Sequence, residues 1–465
     1  MLTVIRKLWQ EKYQHPEQCL QGAWNCTKIG LLIFPLIPAL GSFGLLLSLL
    51  LTWKNKYALI LRSPLNWGWA FLSFWLVITA CFSFERTEAF LGLANFLPFF
   101  ALFAAFSVLI QTTAQLRQLA WVLVISSLPV IILALGQHFL GWASPEQLKG
   151  SSAAVFGSEF PKGGNPPGRI ASVFMYANIL AAYLQIILIL GLGLLIESFQ
   201  AWRKNPGKLS GRVFILLSAL LVGNIVALFL TSSRNGWAIA VLAFLSFALY
   251  LGWRWLVVGV TAFTASVLWA SFGPRLGRSW LRGLVPSYLW LRLSDQLYPD
   301  RPVELMRTTQ WQFAWKKTLE SPWIGWGLRN FPPLYQAKRQ IWLGHPHNLF
   351  LMLMVETGIP ATFIFCCLVG WILAQAILLL GVWSAATATE NRQQWYKDKL
   401  ILFTYLVAFA SCTIFNLLDV TVFDLRVNTL GWLLLSAVCG VVYHYRGIVV
   451  GQRFEQELNE NLTKN

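Results

Sequence analysis

Long, uninterrupted apolar runs constrain this chain more than any other feature. Segments long enough to cross a bilayer recur at 27–53, 66–84, 88–110, 118–140, 171–196, 213–231, 234–250, 255–272, 348–383, 399–418 and 427–445. In hydrocarbon only a helix or a closed barrel satisfies its own backbone groups, and a spanning helix needs about 20 apolar residues. The runs are continuous rather than alternating, so they are predicted to be helices and not barrel strands. Charged residues make up only 12% of the chain and apolar ones 57%, which excludes an ordinary soluble enzyme. The expected fold is an all-α polytopic membrane protein.

Basic residues in the short loops set its orientation. Lys54, Lys56 and Arg62, then Arg203, Lys204, Lys208 and Arg212, then Arg392, Lys397 and Lys399, and finally Arg446 and Arg453 fall on one side if the spans alternate. That side is taken as the cytoplasm. The first run is ambiguous, because Arg6, Lys7 and Lys12 precede it while Lys54 and Lys56 follow it. A break at Pro35, Pro38 and Gly41 turns it into a short hairpin and gives about twelve transmembrane helices; a single crossing gives eleven. Residues 1–26, without a short cleavable signal, form a cytoplasmic segment. Residues 27–272 form a first transmembrane bundle, 273–347 one large outer loop, 348–445 the C-terminal membrane helices and 446–465 a cytoplasmic tail. Five cysteines, Cys81, Cys366, Cys367, Cys412 and Cys439, fall in apolar runs, and Cys19 and Cys26 precede the first one, so no disulfide framework is indicated.

The outer loop is unusual in its charge. It carries eleven Lys and Arg against four Asp and Glu, a net +7 within a chain of net +17. Long loops escape the positive-inside rule, and two explanations remain open: a surface facing lipid headgroups, or an anionic ligand. No Lys/Arg block or RNA-binding motif accompanies the charge, so nucleic acid is not an expected partner. Val303–Leu319 is predicted to form an amphipathic helix on the bilayer surface, with Arg307, Trp311 and Trp315 on one face. Ser321-Pro322-Trp323-Ile324-Gly325-Trp326-Gly327 then breaks the chain into a tight turn.

Three outward helix starts carry a cation. Arg169 precedes a span beginning near Ser172, Arg234 follows Thr231-Ser232-Ser233, and His347 precedes Asn348. Free N–H groups and the positive dipole end at each start collect anions, so convergence of the three would clamp a diphosphate. The plainer readings are snorkelling for Arg234, a surface loop for Arg169 and a headgroup contact for Arg307. A histidine here suits a general base, so His347 is the candidate, with His345 able to trade roles; capping is the plainer role for a loop histidine. A metal is not expected, because the short loops offer the histidines no acidic third ligand. Glu356, inside a span, is a functional candidate or an interhelix partner. Asn178 is suited to hydrogen bonding between helices. Asn416, Asp419, Asp424 and Arg426 are expected to pair among themselves, Asp to Arg.

Taken in order, Arg169-Ile170-Ala171-Ser172-Val173-Phe174 with Asn178, Thr231-Ser232-Ser233-Arg234-Asn235-Gly236, Pro322–Gly327, and His347-Asn348-Leu349-Phe350 with Glu356-Thr357-Gly358-Ile359 resemble the O-antigen ligase and polymerase family. The resemblance covers about residues 30–445. Asp419–Leu430 further resembles the cyanobacterial inorganic carbon transport branch of that family. The resemblance implies a GT-C-like ligase architecture in a bacterial inner membrane, with the large loop periplasmic. It implies a metal-independent, cofactor-free, inverting glycosyltransferase that takes a glycan from undecaprenyl diphosphate. By matching motif, Arg169, Arg234 and Arg307 would bind the diphosphate and His347 would activate the acceptor hydroxyl; His345, Glu356 and Asn178 are the supporting candidates from the residues themselves. Bicarbonate transport and non-catalytic binding of a lipid-linked glycan or another anionic lipid are the competing readings, and the pattern names no oligomeric state.

Overall fold

The computed structural model describes residues 14–144, 157, 159–204, 206–294, 296, 302–385 and 392–463. Among these, regular structure is helical, and ten segments are long and apolar enough to cross a membrane. The helices are α1 (Gln21–Ile33), α2 (Pro38–Arg62), α3 (Pro64–Cys81), α4 (Arg86–Leu93), α5 (Leu97–Leu109) and α6 (Thr113–Phe139). There follow α7 (Ala177–Lys204), α8 (Lys208–Leu230), α9 (Arg234–Leu251), α10 (Arg254–Phe272), α11 (Arg275–Leu284) and α12 (Ser287–Leu293). The last five are α13 (Arg307–Glu320), α14 (Phe331–Arg339), α15 (Leu349–Ala385), α16 (Arg392–Asn416) and α17 (Leu425–Thr463).

The first apolar run is a hairpin. The chain turns over Phe34–Ile37, and α1 and α2 run back along each other with Gly30, Gly41 and Gly44 at the contact. A Cβ on Gly41 would lie 2.4 Å from the Phe34 Cα; such small residues let helix backbones approach closely. The Thr27 and Ser48 hydroxyls hydrogen-bond across the pair at 2.7 Å. With 13 residues, α1 is shorter than a crossing requires. The boundary expected at residue 26 falls inside α1, and residues 1–13 lie outside the described residues.

At the centre stands α7, whose residues Leu180–Leu190 are all buried. It packs against α6, α8, α9, α16 and α17, so it has no solvent or lipid stripe and reads apolar all round. It is the post on which the two ends of the molecule are mounted.

The span expected at 348–383 is not one continuous helix. α15 breaks at Gly358, where φ is 84°, just before Pro360. Hydropathy is blind to this break, because Gly and Pro interrupt the backbone without interrupting the apolar run. The Pro322–Gly327 turn fills it: the Trp326 N–H donates to the Val355 carbonyl (2.8 Å), Gly327 to Glu356 (2.9 Å) and Ile359 to Pro322 (2.8 Å). Interrupted backbone at membrane depth requires such partners. No side chain fits there, since a Cβ on Gly325 would lie 2.5 Å from the Glu356 carbonyl carbon and one on Gly358 would lie 2.2 Å from the Trp323 oxygen.

The amphipathic segment at Val303–Leu319 starts as a short 3-10 turn, Val303–Leu305, and continues as α13. Its Phe313 and Ala314 face packs on Phe331, Tyr335 and Val355. The outer part of α15, held in place by the turn above, gives that face a protein partner. Asp295, Asp300 and Arg301 of the charged loop lie outside the described residues.

Candidate active site

His347 lies at the junction of the outer loop and α15, in a left-handed backbone conformation with φ 52°. Four hydrogen bonds hold it there. The His347 N–H donates to His345 Nδ1 at 3.1 Å, and Trp311 of α13 donates its indole N–H to the Pro346 carbonyl at 2.9 Å. Asn348 caps α15 by accepting the Leu351 N–H at 3.0 Å, while its amide donates to the Leu417 carbonyl at the end of α16. Trp311 thus turns its face of α13 toward the histidine loop.

The strained residue is not alone. Ser172 and Ser232 have φ of 51° and 53°, so each of the three motif loops carries a left-handed non-glycine residue. Such conformations persist only where surrounding structure over-determines them. At Ser172 the determinant is Gln137 of α6, whose side-chain oxygen accepts both the Ala171 and Ser172 N–H groups at 3.0 Å. The helix expected from Ser172 begins at Ala177, because residues 171–176 are spent on this turn. Arg169 therefore does not sit at a helix start.

A single hydrogen-bonded chain joins the motifs. Arg169 donates from Nε to the Thr231 carbonyl at 2.8 Å and from Nη2 to Asn178 Oδ1 at 2.5 Å. Asn178 donates from Nδ2 to Asp419 Oδ2 at 2.7 Å. The other carboxylate oxygen of Asp419 lies 3.1 Å from His347 Nδ1 and accepts the Val420 N–H at 2.9 Å. Asp419 departs from the sequence reading: Asp424 pairs with Arg426 at 3.5 Å as expected, but Asp419 faces the histidines and Asn178. Arg426 instead fixes the turn before α7, donating to the Val173 carbonyl at 2.7 Å and lying over the Phe174 ring.

Asp419 is 4% exposed. Burial alone would raise its carboxyl, but the His347 hydrogen bond and the field of both imidazoles hold it at about 2, ionised. Burial pushes His345 down to about 4, with His347 and Arg307 adding to the effect and Asp419 opposing it. His345 is therefore neutral at pH 7. Its Nδ1 accepts a backbone N–H, so its proton is on Nε2, which faces Asp419 at 3.8 Å. His347 turns Nδ1 to the carboxylate, which places its own proton there and leaves Nε2 basic.

The acidic partner missing from the short loops thus arrives from far along the chain, and the three donor atoms of His345, His347 and Asp419 lie within 4.8 Å of one another. The donor set nevertheless suits hydrogen bonding better than ligation. The His345 nitrogen that faces Asp419 carries the proton, and a ligand must offer a lone pair.

The arginines come together unequally. Arg169 is part of the chain; Arg307, at the start of α13, is near enough to disfavour protonation of His345. Arg234 opens α9 directly after the turn whose Thr231 carbonyl holds Arg169, and it donates to the Leu293 carbonyl at 3.4 Å. Over that turn lies α12, with Arg292 donating to the Ser232 carbonyl at 3.1 Å and the Tyr288 hydroxyl bonded to that of Ser232. Arg292 and Gln137 are site residues that sequence reasoning passed over, while Trp311 and Asp419 were named for other roles. Glu356 belongs elsewhere in the architecture: buried at the α15 break, it accepts the Phe331 N–H at 3.3 Å and anchors the outer loop.

No curated protein matches this chain. Residues 216–366, the stretch from within α8 through the outer loop into α15 that carries Arg234, Arg307, His345, His347 and Glu356, match the family model described as O-antigen ligase, and over that stretch the chain is similar to this family.

Proposed function

We propose that this protein transfers a glycan from undecaprenyl diphosphate to an acceptor hydroxyl, at the periplasmic face of a bacterial inner membrane. The observation that carries this reading is the contact of His347 Nδ1 with the buried, ionised Asp419, which leaves Nε2 with its lone pair free to take a proton. In the reaction the acceptor oxygen forms a bond to the anomeric carbon as its proton passes to His347 Nε2. The bond from that carbon to the diphosphate oxygen breaks from the opposite face, and the lipid diphosphate leaves with the electron pair. Asp419 stabilises the imidazolium so formed. Arg169, Arg234 and Arg307 neutralise the leaving diphosphate, with Asn178 fixing the direction of the Arg169 guanidinium.

A conduit for bicarbonate has less support. The second buried charge cluster, Arg117 with Glu197 and Asp398, is at the other end of α7. From Asn178 to Glu197 is about 28 Å of helix, and the intervening Leu180–Leu190 stretch is buried and almost wholly apolar. Reconstituting the purified protein in liposomes and assaying both transfer from an undecaprenyl-diphosphate glycan and labelled bicarbonate uptake tests the reading. Transfer that disappears in His347→Ala is the expected result; uptake without transfer would replace this reading with inorganic carbon transport.

A further inference from the structure

A groove of about 330 Å³ opens between α2, α3 and α5. It lies at the end of the molecule opposite His347. The C-terminal end of α3 leads to Phe84, whose N–H donates to Trp326 of the outer loop, so the Pro64 end of α3 is on the other face. Trp53, Leu61, Trp67 and Trp69 line the groove, and small residues, Ala101 and Ala104 of α5, leave it empty of side chains. Trp67 is 64% exposed and donates its indole N–H to the Leu61 carbonyl, the posture of an interfacial tryptophan.

The charges around the groove are unevenly matched. Lys56, at the bend of α2, is paired with Glu17, which also accepts from Gln111. Lys54 and Arg62, adjacent in sequence to the lining residues Trp53 and Leu61, are exposed, and no described residue pairs with either. An apolar slot with two exposed cations beside it, neither paired among the described residues, is complementary to one kind of molecule. We propose that this groove holds an anionic phospholipid of the inner leaflet, with an acyl chain between α3 and α5 and the phosphate at Lys54 and Arg62. The exposed Trp67 indole marks the depth of the glycerol region, the buried Trp69 forms the floor, and the alanines of α5 give the chain its room.

Native mass spectrometry of the purified full-length protein, offered equal amounts of phosphatidylglycerol and phosphatidylcholine, tests this. The expected result is retention of phosphatidylglycerol in preference by roughly tenfold, and loss of that preference in Lys54→Ala/Arg62→Ala with unchanged thermal unfolding in phosphatidylcholine. Ala101→Phe, which fills the groove, should lower retention of both lipids. Equal retention of the two lipids by the native protein, or an undiminished preference in the double variant, would overturn the proposal.

Discussion

Two buried charge clusters occupy the two ends of α7, and they are built on opposite plans. At the inner end two carboxylates close on one cation: Arg117 donates from Nε to Glu197 at 3.0 Å and from Nη2 to Asp398 at 2.9 Å, and the Thr113 hydroxyl donates to Asp398 at 2.7 Å. At the outer end one carboxylate, Asp419, serves two imidazoles and an amide, and Arg169 reaches it only through that amide. The inner cluster is satisfied from within and joins α6, α7 and α16. The outer cluster is open in a different sense: His347 uses only Nδ1 on the carboxylate, and in the proposed reaction its Nε2 receives the acceptor's proton. Buried ion networks hold a fold when they close on themselves, and they make a site when they do not.

Variants should separate the two plans, and His347→Ala should have the largest effect. We expect it to lower glycan transfer by about 10³- to 10⁴-fold, the range for loss of a general base, with little change in thermal unfolding; a retained rate would remove His347 from the role of base. Arg117→Ala should do the reverse. Leaving Glu197 and Asp398 buried without their cation should cost about 3–5 kcal/mol of stability, while protein that remains folded transfers at the native rate. A variant that is stable but inactive would break the distinction between the clusters.

Asp419→Asn keeps the shape of the outer cluster and removes its charge. Transfer should fall by about 10²-fold, chiefly in kcat, with the pH profile of the remaining activity displaced; an unaltered profile would show that Asp419 does not act through His347. The smallest effect expected is on acid stability. His345 is held neutral, with its pKa lowered by burial from 6.5 to about 4. The stability this gives is fully present above about pH 6.5 and is lost as the pH falls toward 4. Between pH 7 and pH 5 that loss is about 2 kcal/mol, and His345→Asn, measured by unfolding in detergent at both values, should abolish that part of it.

Much of the bundle was legible because hydropathy reports burial in lipid directly, and the hairpin of α1 and α2 was marked by Pro35, Pro38 and Gly41. The three cation-bearing loops were visible because Arg169, Arg234 and His347 interrupt apolar sequence where little else does. Asp419 was misread for a local reason: Asp424 and Arg426 offered it a nearby explanation, whereas its true partners, His347 and Asn178, are remote in sequence and meet it only because α7, α15 and α16 converge. The start of α7 was placed too early because Ile170–Phe174 is apolar enough to extend the span, although Gln137 holds it as a turn. The α15 break escaped for a different reason, since its cause is backbone pairing with a loop more than twenty residues upstream.

That break changes what kind of part His347 sits on. The short helix before Gly358 is joined by backbone hydrogen bonds to Trp326 and Gly327, and through Trp311 to α13. By its hydrogen bonds it belongs to the 273–347 loop and is only jointed, at Gly358 and Pro360, to the long helix that follows. His347 is therefore carried by the same hydrogen-bonded unit as the loop, so in the proposed reaction the position of the base is set by the loop rather than by the long helix.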